Sequence, residues 1–148
     1  MTRIAHPVAG VLALLVISTF WLSTAFSELF GSQALVVSVK TAIPWGFLLL
    51  VPALAAAGAS GFVLAKGRRA ALIEAKMRRM PIIAANGVLI LIPSALYLAS
   101  KARGGEFDTA FYAVQALEFI AGGINIALLG RNILDGLKMK GRFRHPAL

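Results

Sequence analysis

Apolar residues run in four long blocks, at about residues 7–30, 42–65, 82–100 and 109–133, and polar residues are pushed into the gaps between them. A helix rising 1.5 Å per residue needs about 20 apolar residues to cross a hydrocarbon layer roughly 30 Å thick, and each block is near or above that length. The pattern predicts an all-α fold, an integral membrane four-transmembrane-helix bundle that forms a single domain over residues 1–148. A signal-peptide reading of the first block fails on length, because a typical signal core spans only about 7–15 residues.

The block edges carry recognisable punctuation. Pro7 and Pro81 suit the first turns of spans 1 and 3, where a missing N–H costs nothing. Asp108 or Thr109 is the expected N-cap of span 4. Residues 32–43 are amphipathic, and either extend span 2 outward or lie along the interface. A helix reaching from Gln33 to Lys66 would be about 50 Å long, so a break or kink near Pro44 is expected, with Trp45 at headgroup level. Pro52 and the run Ala55 to Gly61 lie farther along span 2, and such small residues let a neighbouring backbone approach closely. Residues 66–80 read as a basic loop on the membrane surface and residues 136–148 as a basic tail.

Composition agrees with this picture. The chain is 59% hydrophobic, with a mean hydropathy of +0.82. A net charge of +9 would suggest nucleic acid in a soluble domain. Here the basic residues sit at helix ends rather than as a stripe, which argues against a nucleic-acid partner. All of them except Lys40, Lys101 and Arg103 fall on the side that carries both termini and the 66–80 loop. By the positive-inside rule, both termini are expected in the cytoplasm, as for a bacterial inner-membrane protein. The same loop is expected to attract anionic lipids. The chain has no cysteine, which rules out disulfides, thiolate metal sites and a cysteine nucleophile.

Function is sought in the polar residues that interrupt the spans. Gln115, Glu118, Gly122, Asn125 and Asn132 recur at helical spacing on one face of span 4, and such a stripe must face protein rather than lipid. Glu118 lies about 13 Å along the helix from Thr109. Inserting a charge there costs at least roughly 2.5–3.5 kcal/mol. Glu118 is therefore either a proton- or cation-binding group or a packing element, expected to face a polar cavity closed by Asn86 of span 3 or by a second subunit. Glu28 and Lys40 end spans 1 and 2 and are expected to form an ion pair at the outer interface. His6 and Met80 lie at the inner ends of their spans beside Arg78 and Arg79, a set that could ligate a haem b and its propionates. No metal cluster and no catalytic constellation is evident.

Three function classes follow. An accessory or structural membrane subunit, homodimeric or part of a larger membrane complex, accounts for the small-residue faces and the absence of a catalytic motif. A small proton- or cation-coupled transporter would use Glu118. A haem-binding electron-transfer protein would use His6 and Met80. Spans 2, 3 and 4 contain no histidine, so two-histidine ligation of a haem within one chain is excluded.

Overall fold

The computed structural model describes residues 2–67 and 71–139; Arg68, Arg69 and the tail from Lys140 to Leu148, with Arg142, Arg144 and His145, lie outside the described residues. The chain is helical almost throughout: α1 (Thr2–Phe30), α2 (Gln33–Ala65), α3 (Ala71–Asn86), a π-helical turn (Gly87–Leu91), α4 (Ile92–Arg103) and α5 (Thr109–Met139). α3, the π turn and α4 run on as one span, so four helices are long and apolar enough to cross a membrane. Each span packs against two neighbours in a ring, in the order α1, α2, α3/α4, α5 and back to α1. Large apolar side chains such as Leu15, Leu22, Leu48, Leu89 and Ile120 point outward, as lipid-facing positions require.

The segment from Gln33 to Lys40 extends span 2, and α2 is assigned as one uninterrupted α-helix of 33 residues. The expected break near Pro44 does not occur. A proline inside a helix removes one hydrogen bond, which packing along the length of α1 can offset. Ser32 starts α2, its hydroxyl accepting the Leu35 N–H at 3.3 Å. Prolines mislead at two further places. Pro7 and Pro81 lie inside α1 and α3 rather than at their starts. Residues 71–80, expected as basic loop, are the first turns of α3, and residues 136–139, expected as tail, complete α5.

The π turn has a local cause. Pro93 has no N–H to give to the carbonyl of Leu89, and just before it the ladder widens by one residue, with the Ile92 N–H bonding the Gly87 carbonyl. Asn86 stands at the edge of this irregularity.

Close packing between spans relies on absent side chains. A Cβ on Gly46 would lie 2.1 Å from the Phe20 ring, and one on Gly122 would lie 3.0 Å from the Trp21 ring. The aromatic rings of α1 thus seat against bare backbone of α2 and α5. The core divides into a large cluster around Ala13, Ile17, Leu50, Ile83 and Leu129 and a smaller one around Val36, Leu98 and Phe111. The smaller cluster lies at the end of the bundle that carries the Gly31–Ser32 and 104–108 turns, here named the turn end; the other is the terminal end.

Candidate functional site

Polar side chains enter the bundle at three levels. At the turn end, Lys40 of α2 is 1% exposed and donates from Nζ to Glu118 Oε1 of α5 at 3.2 Å. Lys40 belongs to the inward face of its helix with Val36, Ile43 and Leu50, a spacing of four, three and seven residues. Glu118 occupies the equivalent face of α5 with Gln115 and Asn125. The backbones of α2 and α5 are diagonal in the ring and do not pack against each other. The ion pair therefore spans the middle of the bundle, and only two long side chains can reach.

The expected outer pair of Glu28 with Lys40 is replaced by this one. Lys40 points into the bundle rather than out to the interface, and its direct partner is Glu118. Glu28 of α1 stays within electrostatic reach of both. Asn86 does not bond Glu118; its amide is spent on the Ala121 carbonyl and on Asn125, farther along α5. Three residues at this level are left incompletely satisfied: Glu28 Oε1, Glu118 Oε2 and both amide atoms of Gln115 are buried without a hydrogen-bond partner.

Beneath the ion pair, Glu118 also lines a half-open cleft of about 50 Å³ with Thr24 and the aromatic residues Phe20, Trp21, Phe47 and Phe119. That volume admits a few water molecules. Trp21 closes one side, stacking on Phe119 at 4.1 Å and donating from Nε1 to the Phe119 carbonyl at 2.8 Å. Glu118 is the one charged residue in the lining.

The middle level is neutral. Asn86 Nδ2 donates to the Ala121 carbonyl and to Asn125 Oδ1, both at 2.8 Å, and Asn125 Nδ2 donates to the Ile83 carbonyl at 3.3 Å. This knot joins α3 to α5 beside the π turn, and its amides are satisfied, which marks it as a structural clasp.

At the terminal end, Arg79 bonds both Asn132 Oδ1 and the carboxylate of Asp135, and Asn132 Nδ2 donates to Met80 Sδ at 3.3 Å. His6 Nδ1 lies 3.0 Å from the Ala57 carbonyl, and Nε2 lies 3.2 Å from Lys76 Nζ. The carbonyl beside Nδ1 and the ammonium beside Nε2 favour the tautomer with the proton on Nδ1. His6 and Met80 are thus each engaged by side chains of neighbouring helices. To ligate iron, His6 would have to give up a hydrogen bond, and Met80 presents its sulfur to α5. Arg79 is committed to Asp135, which leaves the exposed Arg78 as the other member of the expected propionate set.

Lys76 was hidden in the sequence because it falls in the segment that reads as loop, and Asp135 because it lies just past the fourth apolar block. Their signal was helical phase: Asp135 continues the spacing of Asn125 and Asn132, and Lys76 and Arg79 are three residues apart. Compared with protein-family models, with characterised proteins and with solved structures, the chain matches none.

Proposed function

We propose that this chain is a small proton-coupled membrane component whose working group is the Lys40–Glu118–Glu28 cluster, with both termini in the cytoplasm of a bacterial inner membrane and the turn end facing outward. The observation that carries the reading is the ion pair itself, an ammonium 1% exposed that meets a carboxylate across the centre of the bundle. A structural brace would be better served by apolar side chains, because burying two charges costs several kcal/mol per ion before their attraction returns any of it. Titratable groups held in a membrane interior usually mark ion pathways or proton relays.

The counting of charge strengthens this. With every group ionised, the cluster holds one positive and two negative charges. In a low-dielectric interior, a second positive charge must come and go with it, and the simplest is a proton. The cleft gives that proton a polar contact at Glu118 and room for water. The accessory-subunit reading explains the packing but leaves the second carboxylate without a purpose. The polar stripe of α5 meets partners from the same chain at all three levels, so it does not by itself call for a second copy.

The test is proton flux into liposomes containing the purified protein, with an imposed pH gradient and a trapped pH dye. The parent protein is expected to dissipate the gradient, and Glu118→Gln to do so about a hundred times more slowly, the lower end of the effect of removing a proton-transfer group. Equal rates for the two proteins and for empty liposomes would overturn the proposal.

A further inference from the structure

Resting on the proton-coupled reading, we infer that protons reach Glu118 through the aromatic cleft, over water held by the Thr24 hydroxyl, which makes Thr24 the second residue of the route. All four spans wall this cleft: Thr24 comes from α1, Phe47 from α2, Ala95 from α4 and Glu118 from α5. It lies between the spans rather than on their lipid-facing side. Three observations carry the inference, and the first is height. Trp21 donates to the Phe119 carbonyl and lies against Gly122, which sets the level at which α1 and α5 meet. The two helices run in opposite directions. Three residues onward from Trp21 and four back from Gly122 therefore lead toward the same end, a rise of about 4.5 Å to Thr24 and about 6 Å to Glu118. The two residues stand at nearly one level of the cleft.

The second observation is the state of that hydroxyl. Thr19, Ser38, Thr41 and Ser60 each donate to the carbonyl four residues earlier, the usual way in which a helix absorbs a hydroxyl. Thr24 does not. It is only 3% exposed and, among the described residues, its hydroxyl bonds to nothing; yet that oxygen is not sealed, unlike the Gln115 amide and Glu118 Oε2. The void that Thr24 borders is the cleft. A buried hydroxyl that is neither bonded nor closed off is completed by water.

The third observation is the poverty of the remaining wall. Of the other ten lining residues nine are apolar, and the indole N–H of Trp21 is spent on the Phe119 carbonyl. Water in the cleft thus has Thr24 and Glu118 as its side-chain partners, and Glu118 keeps 12% of its side-chain surface. A buried water needs at least about two polar partners, so it settles between these two. A hydroxyl both accepts and donates. The Thr24 oxygen takes a proton from water on its outer side as its own proton passes to the water beside Glu118, and that water protonates the carboxylate. One proton enters, Glu118 becomes a carboxyl, and the hydroxyl and the bridging water are left as they were.

The experiment adds variants of Thr24 to the liposome flux assay on the full chain, with the unfolding midpoint of each as a control. Thr24→Val keeps the shape of the side chain and removes the hydroxyl. It is expected to slow Glu118-dependent flux about a hundredfold, the lower end of what a positioned proton-transfer group contributes. The midpoint is expected to stay in place, because no bond within the protein is lost. Thr24→Ser returns a hydroxyl and is expected to restore most of the flux, a rescue that a packing role would not give. Should Thr24→Val fail to fold, Ala95→Val decides, since it narrows the cleft and alters neither polar residue: slowed flux supports the route and parental flux overturns it. Flux in Thr24→Val equal to that of the parent, or equally slow in Thr24→Val and Thr24→Ser, would overturn the inference and leave the Glu118-dependent, proton-coupled reading standing. A parent protein without Glu118-dependent flux would remove the two together.

Discussion

Two clusters of the same composition sit at the turn end of the bundle, each with one lysine and two carboxylates. In one, Lys101 reaches Glu106 at 3.1 Å and Asp108 at 2.8 Å, and both carboxylates are more than half exposed. In the other, Lys40 reaches Glu118 at 3.2 Å with 1% and 12% exposure, and Glu28 stands nearby without a direct bond. Outside the bundle the excess negative charge is dissolved by water and salt and needs no explanation. Inside, the same tally is an unbalanced charge with far less water to solvate it. Composition alone would rank the clusters equal. Their surroundings make the first an ordinary helix-end network and the second the place to look for activity.

Removing the lysine from each cluster is the severest way to break the comparison. Lys40→Met leaves the Glu118 carboxylate without its cation, and is expected to destabilise the protein by about 3–5 kcal/mol, the range for stripping one partner from a buried pair. Lys101→Met should leave the unfolding midpoint within measurement scatter. Unfolding in mixed micelles measures both, and similar effects for the two variants would erase the distinction. A smaller effect asks whether charge or mere polarity matters. Asn125→Ala removes the Asn86–Asn125 bond at 2.8 Å, and interhelical hydrogen bonds in membranes are worth roughly 0.5–2 kcal/mol. A loss as large as that of Lys40→Met would show that buried polarity in general, not the ion pair, holds the bundle together.

The clusters also mark how far the sequence could be read. Four spans, their order and the inward stripe of α5 follow from hydropathy and helical phase, and Gln115, Asn125 and Asn132 are buried as that phase requires. Asp108 caps α5 as expected, accepting the Phe111 N–H at 2.9 Å. Lys40 was the costly miss. Its phase with Val36, Ile43 and Leu50 was there to be seen, but α2 is apolar on every side, and a helix without a polar face gives no sign of which side is inner. Proximity along the chain then favoured Glu28 as partner. The true partner, 78 residues away across the ring, depends on which helices are diagonal, and that is decided by packing. Prolines failed as boundary marks for a related reason: one missing hydrogen bond is too small a loss to stop a helix that tertiary contacts support on both sides.

The smallest expected effect lies at the exposed cluster, and it tests the comparison through pH. The Lys101 ammonium and the Phe111 N–H both favour the ionised form of Asp108, holding its carboxyl below the usual range near 3.8. A group whose folded value is depressed adds stability that is fully present above its unfolded value, about 3.9 for aspartate, and is lost as pH falls through the folded value. Between pH 8 and pH 5, Asp108→Asn should therefore shift the unfolding midpoint by a small and constant amount, since both forms of the wild-type group are already ionised there. Below about pH 4 the parent and the variant should converge. A carboxylate solvated by water changes the pH profile only in strong acid. A pH-dependent difference between Asp108→Asn and the parent that develops near neutrality would mean that the exposed cluster is not solvated as its exposure requires, and the division between the two would collapse.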